Sequence, residues 1–501
     1  MQPTTPSEPC GPRLGASAAT GLAPAWTNCH PARLFPAWVI VSIVIALVVW
    51  CLVDIRRRSN IDPGNIYLHK TDITVYTGAA AAFFDGREPY TVTNSRGWSY
   101  IYPPLFALLL APLNFFGPQG QAMVWFALSA LFAWGTYVEI VRIAQLICRE
   151  HRYKWSMPPW VAWAAFVAVA LPGLNCLQRG QIGVLKLYLL MAGLRLILEN
   201  RSAMRTLCGG LVLALPIAFK ITPIVPVGFL LVQQTMLAWL ATDRRPQFTR
   251  VAAAWSGVGM GLVLYFLLIP AALIGWHANN HHLQTWWNLV GRKANDTGYD
   301  QFAGNSQSAR NQSLLNAVRL LGFWVDSPSG TLGDVSDDMF APRTGPVRPE
   351  PSWVAWGVLG LRLGVATLVA WLALSMRRGA GLTEQVTGFG IATAATLIIA
   401  PIARVHYFVL LAPMAVFLPM YFIERAWFRT AKWLAIIPAG LIVAHYLAMG
   451  VVGRLGLLGI GITAWLVAAA ALLVRLRRVD IAELSATLPE RSPSNVTRQA
   501  A

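Results

Sequence analysis

The apolar positions of this chain fall in long runs, and the polar positions gather between them. The first run, PAWVIVSIVIALVVWCLV, covers about residues 36 to 53, and the next covers about 120 to 147. Runs of this kind reach the roughly 20 residues that an α-helix needs to cross a bilayer. The pattern predicts an all-α polytopic membrane protein. Composition agrees: 56% of the 501 residues are hydrophobic and only 12% are charged, against about 25% charged in a soluble domain.

The stretch YIYPPLFALLLAPLNFF is apolar, but it is short and interrupted by Pro103, Pro104 and Pro112. It is read as a helix that lies at the interface or re-enters, with its tyrosines in the headgroup layer. That reading sets the topology. If the stretch does not cross, the basic segments CREHRYK, ENRSAMR, TDRRPQFTR, MRRGAG, ERAWFRTAK and RLRRVD all fall on one side. The short loops on the other side carry few positive residues, chiefly Arg179, Arg404 and Arg454. The positive-inside bias then gives about 12 spans with both termini cytoplasmic. One segment, IRRRSN after the first span, runs against the bias. Residues 1–35 are polar and rich in Pro, Ala and Thr. They read as a disordered cytoplasmic tail, ahead of a first span that serves as an uncleaved anchor. The transmembrane domain is expected over 36–478, with large outer loops at about 54–119 and 276–351 and a cytoplasmic tail at 479–501. Part of the second loop has the turn-rich composition of a flexible segment.

The formal charge of +18 is spread over loops rather than gathered in one patch, which excludes a nucleic-acid partner. The six cysteines (Cys10, Cys29, Cys51, Cys148, Cys176, Cys208) include no C-x-x-C pair, so neither a zinc framework nor a disulfide framework is indicated. No P-loop, G-x-S-x-G or dinucleotide fingerprint stands in a suitable context, and no cofactor is expected.

Candidate chemistry sits at the outer ends of the runs. In KTDITVYTGAAAAFFDGREPY, Asp72 opens a small-residue helix that stops at Asp85-Gly86. Asp is a favoured helix cap, and the same carboxylate at a water–lipid boundary could instead take a proton from a hydroxyl. Tyr76 shares its helix face. LNCLQRGQIGVLKLY offers Gln178, Arg179, Gln181 and Lys186, and LPIAFKITPIVP places Lys220 between two apolar runs. A lysine so placed either snorkels to the surface or serves function. Arg404 and His406 lie in the short loop of IIAPIARVHYFVLL, where they either solvate the loop or bind a lipid phosphate. His277, His281 and His282 cluster in WHANNHHLQ, but no spaced third and fourth ligands are evident and no metal is assigned. Trp286 and Trp287 fit an interfacial belt better than a sugar platform. Asp334, Asp337 and Asp338 read as solvated loop acids, NDT and NQS as chance matches to the glycosylation pattern, and Gly257-x-x-x-Gly261 as a helix-packing motif.

Taken in order, TDITVYTGAAAAFFDGREPY, YIYPPLFALLLAPL, RGQIGVLKLYLLMAG, FKITP, NQSLLNAVRLLG and PIARVHYFVLLAP resemble glycosyltransferase family 87. The resemblance runs from about residue 70 to about 415. It implies a GT-C membrane fold with interfacial helices in the first outer loop. It further implies an inverting enzyme that moves a sugar, most simply mannose, from a polyprenyl-phosphate donor. The acceptor would be a glycolipid or polysaccharide hydroxyl, reached from the extracytoplasmic face of the plasma membrane. Asp72 matches the catalytic acid of the first outer loop, and His406 lies by the donor phosphate. Family members often show a Trp and paired histidines where this chain has Arg404-Val405-His406-Tyr407. Either Arg404 shares the phosphate with His406 and Lys220, or the donor differs. Tyr76, Arg179, Gln181, Asn311 and Gln312 are the expected substrate contacts. The rival readings are a transporter or flippase using Lys186, Lys220 and Arg404 as a path, and a non-catalytic envelope protein. The absence of a clear internal repeat counts against the transporter.

Overall fold

The computed structural model describes residues 36–61, 69–94, 99–150, 157–199, 202–291, 311–314, 316–318, 352–400, 402–448 and 456–487. Among these residues the chain is helical, apart from turns and one isolated bridge between Thr93 and Ser99. Among the described residues nine helices are long and apolar enough to cross a membrane: α1 (Ala37–Arg58), α4 (Pro118–Glu150), α5 (Pro159–Gln178), α9 (Arg244–Ile274), α11 (Ser352–Leu374), α12 (Leu382–Ile399), α13 (Val405–Glu424), α14 (Phe428–Leu447) and α15 (Leu457–Thr487). The protein is therefore an α-helical, multi-pass membrane protein. Three shorter helices follow one another between α5 and α9: α6 (Gly183–Leu198), α7 (Ala203–Phe219) and α8 (Ile224–Leu240). The count expected from the charge pattern requires all three to cross as well.

The first loop folds into α2 (Ile73–Phe84) and α3 (Pro104–Phe115). At 12 residues each they are too short to span, as the prolines of the α3 segment led one to expect. The headgroup placement of its tyrosines does not hold. Tyr100 and Tyr102 are buried, packed edge-on with Phe83 and Tyr76. The reason is local. Pro103 and Pro104 lack N–H groups, and the Tyr100 hydroxyl anchors the start of α3 by donating to Pro103 O (2.7 Å) and accepting from Ala107 N (3.2 Å). Thr77 Oγ1 donates to Gln121 Oε1 (2.8 Å) and Asn114 Nδ2 to Thr77 O (3.0 Å), which ties α2 to α3 and α4. The loop is thus part of the core.

Helix α1 stands at the periphery and presents Val41, Ile45, Val49 and Leu52 outward, as lipid contact requires. The opposite extreme is α13, buried almost throughout between α5, α12 and α14. Helices α7 and α9 meet most closely. A Cβ on Gly257 would run into the Leu207 carbonyl, and one on Gly261 into Ala214. Small residues do here what membrane packing asks of them, letting two backbones touch. The last helix continues past residue 478 to Thr487.

Candidate active site

Helix α2 begins where the loop meets the Arg179-Gly180-Gln181 turn that joins α5 to α6. Asp72 N–H donates to Arg179 O at 2.9 Å. Asp72 occupies the capping position, yet its side chain makes no cap hydrogen bond. Thr71 Oγ1 accepts from Ile73 N instead, at 3.3 Å. The capping expectation from pattern is corrected by this geometry: the hydroxyl beside Asp72 does part of that work. The carboxylate faces the α5–α6 turn, where Gln181 Nε2 donates to Asp72 Oδ2. Both side chains are buried. Gly180 makes the close approach possible. It has φ +68°, and a Cβ there would sit 2.8 Å from Thr71 Oγ1.

The other end of α2 stops as composition predicts. Asp85 N and Arg87 N bond to the Ala81 and Ala82 carbonyls at 2.9 Å each, with Gly86 at φ +68° between them. This left-handed residue closes the helix at little steric cost.

Around Asp72 the structure collects aromatic and cationic groups from distant segments. Tyr76 lies on the same face of α2 and packs against Tyr102 and Phe106. Burial pushes the Tyr76 phenol well up from its ordinary range, and Tyr102, Asp72 and Tyr407 add to the shift. At neutral pH Tyr76 is therefore a hydrogen-bond donor and not an anion. Lys220, at the end of α7, donates to Tyr407 Oη at 2.7 Å and lies 4.2 Å from the centroid of that ring and 5.6 Å from that of Tyr102. Lys186, on α6, is buried and lies 5.7 Å from the Tyr407 centroid. Tyr407 is within electrostatic reach of Asp72, Lys186 and Arg404. His406 is buried, within electrostatic reach of Arg179, Arg404, Lys220 and Lys186, and neither ring nitrogen has a hydrogen-bond partner among the described residues. Neither lysine forms an ion pair with a described residue.

The start of α13, which carries His406 and Tyr407, is held by the NQS segment. Gln312 N donates to Ala403 O (2.8 Å), and Ala403 N donates to Asn311 Oδ1 (2.9 Å). Both side chains are buried, so Asn311 is a brace for the loop before Arg404 and not an exposed glycosylation acceptor.

The expected residues Asp72, Tyr76, Arg179, Gln181, Lys220, Arg404 and His406 thus come from segments that meet, with Asn311 and Gln312 behind them. Lys186, named as candidate chemistry and for the transporter path but not as a substrate contact, joins them, as do Tyr102 and Tyr407, which had not been picked out. Lys186 carried one signal, a charge inside an apolar run. Trp286 is corrected too. It is buried and donates to Ile101 O at 3.2 Å, so it ties a later helix to the first loop, while Trp287 is the exposed member of the pair. Asp334, Asp337, Asp338, the NDT segment, Arg454, Cys10 and Cys29 lie outside the described residues.

The family model of glycosyltransferase family 87 matches residues 100–401, more than half of the chain. The chain belongs to glycosyltransferase family 87. It is accordingly a glycosyltransferase. Arg179, Gln181, Lys186, Lys220, Asn311 and Gln312 fall within the matched span, whereas Asp72, Arg404, His406 and Tyr407 lie outside it. A curated relative is the polyprenol-phosphate-mannose-dependent alpha-(1-2)-phosphatidylinositol mannoside mannosyltransferase of Mycolicibacterium smegmatis. It is 29% identical over 206 residues, 38% of this chain. The chain spans 45% of that relative's length. Among solved structures, ArnT from Cupriavidus metallidurans bound to undecaprenyl phosphate aligns over 91% of this chain and 82% of its own. The identity is 16% and the TM-score 0.35.

Proposed function

We propose that this family 87 enzyme transfers a mannosyl group, with inversion, from a polyprenyl-phosphate donor to an acceptor hydroxyl on the extracytoplasmic side of the membrane. The observation that carries the reading is the pairing of a buried, non-capping carboxylate with a cationic and aromatic wall. Asp72 takes the acceptor proton as the acceptor oxygen attacks the anomeric carbon. The bond from that carbon to the phosphate oxygen breaks, and polyprenyl phosphate leaves as an anion that needs no proton. Lys220, Lys186 and Arg404 stabilise the developing charge on the phosphate. Tyr407 holds the Lys220 ammonium in place, and Gln181 orients the Asp72 carboxylate. The family match and the donor named for the Mycolicibacterium relative support a lipid-phosphate sugar. The acceptor would be a glycolipid or polysaccharide. The positive-inside bias of the basic segments supports cytoplasmic termini and, with them, an outer-face position for Asp72.

The test is incubation of purified protein with a panel of polyprenyl-phosphate sugars and an acceptor glycolipid, followed by mass analysis of products. A mannosylated product from wild type, lost in Asp72→Asn, is the expected result. Product formation from another sugar would change the donor, and undiminished product from Asp72→Asn would remove Asp72 from the mechanism. Movement of the lipid across proteoliposomes with no covalent product would favour the transporter reading.

A further inference from the structure

The first loop and the helix α10 (Trp276–Trp286) meet at a second cluster, away from Asp72. Glu88 follows α2, just past Gly86. Its Oε1 accepts from Tyr90 N at 3.3 Å, which orients the carboxylate and turns Oε2 to His281 Nε2, 3.5 Å away. His282, next along α10, is buried edge-on against Phe83 with ring centroids 5.0 Å apart. Its Nδ1 is buried and has no hydrogen-bond partner among the described residues. One ligand atom from each of Glu88, His281 and His282 lies within 4.8 Å of the other two.

An exposed Glu–His ion pair would account for Glu88 and His281 alone. It leaves His282 unexplained, because an unpaired buried nitrogen costs about 1–3 kcal/mol. A cation shared by all three accounts for every one of these features. Two imidazoles and one carboxylate suit a borderline transition ion such as Zn²⁺, and the hard all-oxygen preference of Mg²⁺ and Ca²⁺ fits poorly. The backbone N–H on Glu88 Oε1 is the kind of outer support that metal-binding carboxylates carry.

We propose that Glu88, His281 and His282 form a divalent transition-metal site of the zinc class that fastens the first loop to α10. Helix α2 has 12 residues, so the site lies about 18 Å along its axis from Asp72. It does not touch the reacting atoms, and its role is to hold the loop that carries Asp72. Trp286, bonded to Ile101 O one turn further along α10, is the metal-independent half of the same fastening.

The experiment uses full-length protein in detergent with any histidine tag removed. The protein is stripped with chelator, exposed to a slight excess of Zn²⁺, passed through a desalting column and analysed for metal per chain. Wild type is expected to retain about one more zinc than Glu88→Gln or His281→Ala, with affinity falling at least about tenfold in each variant. His281 is exposed, so His281→Ala is expected to melt like metal-free wild type while losing the zinc-induced rise in melting temperature. Equal zinc retention in wild type and both variants would overturn the proposal. So would a zinc-induced stabilisation that survives in His281→Ala.

Discussion

The two ends of helix α6 handle buried charge in opposite ways. Near its start, Lys186 is buried beside Tyr407 and a second lysine, Lys220, with no ion pair to a described residue for either. Near its end, Arg195 is clamped between Glu139 and Glu199, and Arg205 closes on Glu199 as well. Helix α12 repeats the second arrangement. Its first turn holds Glu384, fully enclosed, between Arg377 Nε (3.4 Å) and Arg477 Nε (2.7 Å), and Arg477 also donates to Leu372 O (3.1 Å). A charge taken out of water needs a partner. Where the protein supplies the partner itself, the charge is scaffold. Where it gathers cations and withholds the anion, a ligand is the natural partner, and under the function proposed above that partner is the phosphate of the donor.

This contrast can be broken by mutation. Asp72→Asn should lower turnover about 10²–10⁴-fold, the usual range for a general base. Its melting temperature should stay close to wild type, because the backbone bond to Arg179 remains. An activity loss matched by unfolding would reduce Asp72 to a structural role. Glu384→Gln should do the reverse. Leaving Arg477 and Arg377 without their shared carboxylate is expected to cost about 3–5 kcal/mol, seen in denaturation, with turnover per folded molecule preserved. If Glu384→Gln lowers turnover without lowering stability, the division into scaffold and ligand ends is wrong. Tyr407→Phe removes the hydroxyl that accepts from Lys220. A hydrogen bond to a charged group is worth about 1.5–3 kcal/mol, so donor affinity should weaken roughly ten- to hundredfold while acceptor affinity holds. Direct binding of the lipid phosphate measures it. The smallest effect belongs to the exposed pair of Arg87 with Asp85. Arg87→Ala should leave both melting and turnover unchanged within error, as exposed pairs generally do.

The parts of this molecule that sequence reveals are the local ones. The apolar runs mark the long helices, Gly86 marks the end of α2, and Gly257 marks the seam with α7, because each effect acts over a few residues or along one helix face. The site is less legible for the same reason. Lys220 and Tyr407 are 187 residues apart, and nothing in either segment names the other. Asp72 looked like its own helix's cap because local rules favour Asp there. What turns it away is Gln181, 109 residues on. Tyr100 was misplaced because a tyrosine near prolines fits a headgroup layer as well as it fits an anchor for a helix that begins without N–H donors. Glu88 drew no notice at all, since its value depends on two histidines on the distant helix α10.

Two glycines in this region share a backbone angle and differ in everything else. Gly86 and Gly180 both have φ +68°, but a Cβ on Gly86 meets nothing within 4 Å, whereas one on Gly180 meets Thr71 and Ile73. The first position can drift to asparagine, which tolerates the left-handed region, with little consequence. The second has no substitute, since any side chain there wedges the first loop off the α5–α6 turn. The chain therefore holds Asp72 in register by leaving an atom out, and if Asp72 is the base proposed above, a one-carbon graft at position 180 is the smallest change that should yield a folded enzyme with an idle active site.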